Sequence, residues 1–595
     1  MNLPTQSGRF LYRKNKSLRH ILGLIVFFAF SLMDADNLRS YLQSGVSSYG
    51  QEDSEPTLIY STKNNVSVFS KRTRKDATPV ESDNINEQED RLEVDNPGEN
   101  EEENSSLKNS LSIAEESLSS DVAETSEFAL APPERDVDVL IDMRHAYDFS
   151  DYPLTIDDRL YHRIYSFHRA FAYLKSQGVQ VEKYESDEPL SDEILSRCKT
   201  LFLNLPSGDK EPFLLSELIS IKKFVEEGGS AFFIVDHTNC YFHQSRLKPL
   251  FHELDIEPQY YGICDATQNI GSGYGWIYLN KFTPGPITDN LRKIAFQTGG
   301  GVDPRFAVVW SSEASWQDSA NIPIYGEADL GYFGNFIRDS EEKIGANGAV
   351  LAKKIGQGKV VVVGDQNMFS PFFLQYLDNY RLWINSFAWL LNEPELGNPQ
   401  KYVASGVDEK RVLCWEEFGP NAKRFGDPDP KGYYNVFAAL CRYYNVFCIA
   451  NDDSEIGLAS NVLIWIDANE TTSQEGIEFA YKQLKEGKTL LVLDPSDGVL
   501  EKVESPIVAI VRRLEENGVR TSEPTEEVEE AASAFAKTIE FSNGGRIMAL
   551  HGKSSFDNSN VPAPESKPLF SQQENLNTLL KTIDLELDEK REESR

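Results

Sequence analysis

Gly358-Lys359-Val360-Val361-Val362-Val363-Gly364-Asp365 and Gly544-Gly545-Arg546-Ile547-Met548-Ala549-Leu550-His551 are one kind of segment met twice. Each starts at a glycine turn, runs as a short apolar stretch and ends on a polar residue. A closing helix pattern follows, Asn379–Leu391 in the first case and Asn575–Ile583 in the second. A continuous apolar run, rather than an alternating one, is what a strand covered on both faces requires. The echo extends upstream. Glu226-Glu227-Gly228-Gly229 leads into Ala231–Val235 and Asp236, and Lys485-Glu486-Gly487-Lys488 leads into Thr489–Leu493 and Asp494.

Around these anchors, short apolar strands alternate with helix patterns. In the first unit the strands are Val137–Asp142, Val179–Val181, Thr200–Asn204 and Ala231–Val235. The helix patterns are 158–177 and 214–227. In the second unit the strands are Arg411–Trp415, Val446–Ile449, Val462–Ile466 and Thr489–Leu493, with helices at 433–444 and 476–486. Such alternation demands right-handed crossovers and a mostly parallel sheet. The expected fold is α/β, two tandem doubly wound domains with flavodoxin-like layering. Domain 1 spans 136–392, with a Gly-rich irregular insertion at about 265–345 that carries Phe306–Trp310. A linker covers 393–410, the smaller domain 2 covers 411–583, and 584–595 is a charged tail.

The chain has 595 residues and a formal net charge of −35, which disfavours nucleic acid or an anionic membrane surface as a partner of the folded body. Much of that charge lies in an acidic stretch assigned to 36–135, whose Glu99–Ser106 run buries too little apolar surface to offset ordering entropy; the expectation is a disordered tether. Before it, Arg9, Arg13, Lys14, Lys16 and Arg19 precede the apolar run Ile21–Met33. That run has the length of a signal-peptide core and is short for a membrane span. Residues 1–35 are therefore expected to be a signal peptide or a signal anchor. Either places the protein outside the cytoplasm, membrane-anchored or periplasmic, with membrane association through this segment. The six cysteines form no Cys-x-x-Cys pair, and buried thiols are the expected state.

The first unit resembles the class I glutamine-amidotransferase-like fold. It looks closest to a branch of exported proteins related to domains in gliding-motility ABC-transporter auxiliaries and in intraflagellar transport. The resemblance covers about 137–392 and is fainter for 411–583. It rests on Asp142-x-x-His145, Gly228-Gly229 before Ala231–Asp236, Thr283–Asp289, and Gly358–Asp365 with Asp378-Asn379. Catalytic members of that fold carry a nucleophilic Cys in a Gly-x-Cys-x-Gly elbow, with a His and a Glu after the last strand. Here the elbow position reads Val235-Asp236-His237-Thr238-Asn239-Cys240, and the last strand ends in Asp365-Gln366-Asn367. The amidotransferase triad is absent as a pattern, so the resemblance does not imply glutamine hydrolysis.

In a parallel sheet, ligands gather outside the carboxyl ends of the strands. That rim carries Asp142, His145, Asn204, Asp236, His237, Asp365 and Gln366, the candidate ligand-binding set. The alternative is that each caps a turn or a helix, as Asp and Asn commonly do. His237-x-x-Cys240-x-x-His243 is the densest group of soft donors. His237 and Cys240 are the catalytic candidates and Asp236, His237 and His243 the metal candidates, with a divalent metal the one cofactor the pattern admits. Gly271–Trp276 lacks the strand, helix and Lys of a phosphate loop. It reads instead as a rim loop with Tyr274 and Trp276 as contact aromatics. The leading expectation is a non-catalytic binding or scaffold protein, with a cell-envelope protein or a small polar ligand at the rim of domain 1. The alternatives are an extracytoplasmic hydrolase, metal- or Cys/His-dependent, and an auxiliary subunit of an envelope ABC-type or motility assembly.

Overall fold

The computed structural model describes residues 135–593 apart from 147–150, 209, 272, 324–330, 398–409, 419–421, 454–455, 458–459, 467–471, 496–504, 523–535, 551–554 and 565–569. It also describes two paired strands, Pro56–Ser61 and Val66–Lys71, inside the segment assigned as a tether. The signal segment and the rest of that tether lie outside the described residues.

The first sheet contains β1 (Val137–Asp142), β2 (Val181–Tyr184), β3 (Cys198–Asn204) and β4 (Ser230–Ile234). Helices α1 (His168–Ser176) and α2 (Leu215–Glu226) lie between them, and α3 (His243–Glu253) follows β4. The insertion holds β5 (Tyr261–Asp265), β6 (Trp276–Leu279), β7 (Lys281–Phe282), β8 (Ile294–Gln297), β9 (Ala307–Trp310) and β10 (Ser315–Ser319). β11 (Gly348–Ile355), β12 (Gly358–Val363) and α4 (Asn379–Leu391) close the unit. The order is β2-β1-β3-β4-β12-β11-β9-β7. The first five strands run parallel, while β11, β9 and β7 add as antiparallel neighbours. Two expectations are corrected. β9, placed by sequence in an irregular insertion, belongs to the main sheet. The helix expected over 158–177 is a short turn, Tyr161–Ile164, followed by α1.

Alternation along the strands separates two faces. Val139, Ile141, Phe202, Phe232, Ile234, Val361 and Val363 share a core with α1 and α4. Leu140, Leu201, Leu203, Ala231, Phe233, Val360 and Val362 pack with α2 and α3. This is why the valine run is continuous: both faces of β12 are covered.

The second unit repeats the plan with β13 (Arg411–Trp415), α5 (Tyr434–Tyr443), β14 (Asn445–Ile449), β15 (Val462–Ile466) and α6 (Gln474–Lys485). β16 (Thr489–Leu493), α7 (Pro506–Glu516), β17 (Thr521–Ser522), β18 (Ala536–Phe541), β19 (Arg546–Leu550) and α8 (Phe570–Glu593) complete it. The order β14-β13-β15-β16-β19-β18-β17 matches the first sheet strand for strand over its first six positions. The shared glycine turns have one physical cause. Gly228 and Gly487 follow α2 and α6 at φ +100° and +81°, a left-handed conformation that ends a helix at little cost only for glycine. α8 continues ten residues into the segment read as a charged tail, because Glu586 and Leu587 are buried there.

The two units are joined through backbone. The amide of Leu377 donates to the carbonyl of Cys448 at 2.7 Å, and that of Cys448 donates to Gln375 at 2.9 Å. Residues 375–377 thus extend the open edge of the second sheet at β14. Between these bonds, fully buried Tyr376 donates its hydroxyl to Glu416 Oε1 at 2.6 Å, at the end of β13. Tyr376→Phe removes that donor from a buried carboxyl. It is expected to lower stability by about 1–2 kcal/mol at pH 8, read as a shift of the urea midpoint.

Candidate functional site

The strand-end residues of domain 1 fall into separate groups. At the end of β1, Asp142 Oδ1 accepts from the amides of Arg144 (2.9 Å) and His145 (3.2 Å), and Oδ2 lies 2.7 Å from His145 Nδ1. The imidazole stacks on Phe213 with centroids 4.0 Å apart, and its Nε2 sits 3.7 Å from Glu217 Oε2. Glu217, on the first turn of α2 and fully buried, accepts from the amides of Leu190 and Leu214 and faces Arg144 Nε at 3.5 Å. Sequence reasoning missed it because the residue before that helix is Leu214, not a Ser, Thr, Asp or Asn announcing a cap. Asp142, His145, Glu217 and Arg144 therefore form a compact polar knot whose donors and acceptors face one another.

Asp365, after β12, accepts from the amides of Gln297 and Asn367, at 2.5 and 2.7 Å. It fixes β8 of the insertion and the turn that follows the strand. Gln366, half-buried, precedes that turn, and Asn204 is buried with its Oδ1 lacking a hydrogen-bond partner among the described residues.

The third group follows β4, where Thr238, Tyr241 and Phe242 take φ of +53°, +53° and +61°. Three side-chain-bearing residues in left-handed geometry within five positions curl the chain sharply back. The curl brings a carboxylate oxygen of Asp236, a ring nitrogen of His237 and Cys240 Sγ within 4.8 Å of one another, all buried. His237 Nε2 is 3.9 Å from Asp236 Oδ1, and its ring lies 4.6 Å from that of Phe333. His243 does something different. Its Nε2 accepts the amide of Asp236 at 3.0 Å and its Nδ1 donates to the carbonyl of Cys240 at 2.6 Å. Both ring nitrogens bond backbone, and Nδ1 also lies 3.7 Å from Cys240 Sγ, so His243 positions the turn, and Cys240 takes the place among the converging donors expected of His243. His252 is out in solvent, its side chain 87% exposed.

A roof covers the rim. Gly299-Gly300-Gly301 crosses the strand ends, with the Gly300 amide donating to the Gly364 carbonyl at 2.7 Å and the Ile263 amide to the Gly299 carbonyl at 2.9 Å. A Cβ on Gly300 would stand 2.4 Å from the Asp236 carbonyl oxygen, so only glycine fits. Asp142, His145, Asn204, Asp236, His237 and Asp365 are each at most 2% exposed. Tyr274 is on the surface, as expected. Trp276 is buried against Phe373 and Tyr434 in the contact between the domains, because it begins β6 on its inward face.

In domain 2, His551 lies outside the described residues. Asp494 accepts from Tyr433 Oη, Ser555 Oγ and the Phe556 amide, which accounts for it as a turn cap. Glu416 is fully buried, and burial pushes its carboxyl up to about 7. No disulfide joins any of the six cysteines, all of which are buried.

No family model matches the chain, and no curated protein matches it. Solved structures resemble parts of it at low similarity. The mmIFT52 N-terminal domain is 14% identical, with 42% of this chain and 97% of that one covered and a TM-score of 0.31. A putative ThuA-like protein of Bacteroides uniformis is 15% identical, with 46% and 98% covered and a TM-score of 0.24. A cytoplasmic protein of Salmonella typhimurium LT2 is 12% identical, with 43% and 99% covered and a TM-score of 0.25. Nothing about chemistry follows from likenesses of this size. The α/β class rests on the sheet orders given above.

Proposed function

We propose that the protein is a non-catalytic binding or scaffold protein that meets a partner through the roofed rim of domain 1. The observation behind this reading is the roof itself. A substrate would have to pass Gly300 and Phe333 to reach His237 or Cys240, and the glycines that would expose a nucleophile are absent from the turn. The insertion instead exposes Tyr274, Tyr332, Ile337 and Ile344, at 38–53%. Amphipathic rings and aliphatic side chains of this kind suit protein contact. Assignment to the exported amidotransferase-like branch, and membrane association through Ile21–Met33, belong to the same proposal. The partner is then a cell-envelope protein, for which a subunit of an ABC-type or motility assembly is one class. No helix among the described residues is long and apolar enough to cross a membrane.

The test uses the full chain, with in vivo crosslinking and co-purification. The expectation is a stoichiometric complex with one envelope protein that survives His237→Ala and is weakened at least tenfold by Tyr274→Ala with Ile344→Ala. Turnover of an ester, amide or glycoside that disappears in His237→Ala would replace the scaffold reading with the hydrolase.

A further inference from the structure

We infer that Asp236, His237 and Cys240 form a buried transition-metal site, and that Zn²⁺ is the ion their donors fit. The inference goes beyond the scaffold reading and does not depend on it.

Three features carry it. The donors are one carboxylate oxygen, one imidazole nitrogen and one sulfur within 4.8 Å of one another. A tetrahedral zinc ion with bonds of about 2.0–2.3 Å wants its donors about 3.3–3.7 Å apart, so small rotations about the side-chain torsions close the set. The charges also match. A carboxylate and a thiolate neutralise a divalent ion while the histidine stays neutral, which suits a site at most 1% exposed. Finally, the turn is held by groups beside the centre, with His243 Nδ1 3.7 Å from Cys240 Sγ and Thr238 Oγ1 3.4 Å from His237 Nδ1. His243 fixes the backbone of both Asp236 and Cys240, and the Thr238 hydroxyl bonds the carbonyl of His237 at 2.7 Å and that of Tyr332. Partners that orient ligands from outside are a regular feature of metal centres. Left-handed Thr238, Tyr241 and Phe242 are conformations a chain keeps where its surroundings require them, and a bound ion would supply that requirement.

Binding replaces the Cys240 thiol proton with the metal and releases one proton per ion to solvent. The fourth position is left for water. Under the Gly300 roof such an ion ties down the turn after β4 and has no approach for a substrate.

The test uses the full-length protein stripped with chelator and dialysed against zinc. The expected result is one zinc per chain, with affinity lowered at least about 100-fold in Cys240→Ser and His237→Gln. His243→Gln, acting through the backbone, should cost about 10–100-fold, and His252→Asn should cost nothing. Cobalt is the second readout: Co²⁺ bound to the wild-type protein should show a thiolate charge-transfer band in the near ultraviolet. The inference is overturned by a wild-type protein that binds no stoichiometric zinc, by zinc retained equally in Cys240→Ser, or by a cobalt spectrum without the thiolate band. The last holds even if a variant fails to fold.

Discussion

Glu416→Gln is expected to be about 3 kcal/mol more stable than the parent protein at pH 8 and no more stable at pH 4.5. Glu416 stands at the end of β13, 1% exposed, where the two domains meet. Its carboxyl receives Tyr376 Oη at 2.6 Å and the Phe425 amide at 2.9 Å, with Cys448 Sγ at 3.6 Å. Burial is the largest influence and raises the carboxyl from 4.5 to about 7; the Tyr376 hydroxyl, Arg424 and the Phe425 amide pull the other way without prevailing. A carboxyl held higher in the folded than in the unfolded state stabilises while both are protonated, below pH 4.5. That stability is lost as pH rises through 7. The rise from 4.5 to about 7 corresponds to about 3 kcal/mol. Glutamine can turn its oxygen to the Phe425 amide and its NH₂ to the Tyr376 oxygen, so it keeps the contacts without the charge. Asp318 and Asp427, also pushed up to about 7 by burial, act in the same sense, so the variant should retain part of the slope. Lys293, brought down to about 8, acts oppositely and above this window. Urea midpoints at pH 4.5 and 8 decide the matter. A gain equal at both values would mean that ionisation of Glu416 does not govern it.

What sequence could and could not reveal divides along physical lines. The five parallel strands of each domain were legible because strands covered on both faces must be apolar throughout, as Val360–Val363 and Leu490–Leu493 are. The glycines at 228 and 487 marked helix ends because only glycine accepts that backbone at low cost. The antiparallel additions were not legible: β9 is four residues long and sits among Gly-rich loops, so its membership of the sheet depends on a distant partner, β11. At the rim, the strand ends located these polar residues but not their burial. Gly300 packs against the backbone of Asp236 and bonds that of Gly364, next to Asp365, while Asp142 is closed in by His145 and Glu217, and no local pattern encodes either placement. Likewise, the choice of Cys240 over His243 among the converging donors turns on three left-handed residues, none of which is a glycine that would have signalled the curl.

The segment 584–595 is where composition misled most, and it sets up the second large effect. Seven of its twelve residues are Asp, Glu, Lys or Arg beyond Leu587, a pattern that reads as solvated. Yet Glu586 is fully buried, its two oxygens 3.2 and 3.3 Å from Arg546 Nη1, and it accepts the hydroxyl of Thr489 at 2.6 Å. Arg546, the first residue of β19, also faces Glu540 of neighbouring β18 at 3.0 Å. A helical period hides this: Leu576, Leu579, Leu580, Ile583 and Leu587 face the second sheet, and Glu586 shares that face. Its charge is tolerated because Arg546 meets it there. Removing one member of a buried ion pair leaves the other poorly solvated, a loss of about 3–5 kcal/mol. Glu540 still faces the guanidinium, so Glu586→Ala is expected at the lower end, about 3 kcal/mol. Deleting 584–595 should cost at least as much, since Leu587 is lost as well. The deletion should also expose β16 and β19, which hydrogen exchange at Leu490–Leu493 and Ile547–Leu550 would report. Unchanged urea midpoints in both variants would return the segment to the status of a solvated tail. A loss confined to the deletion would place the stabilisation in Leu587 and its neighbours and not in the ion pair.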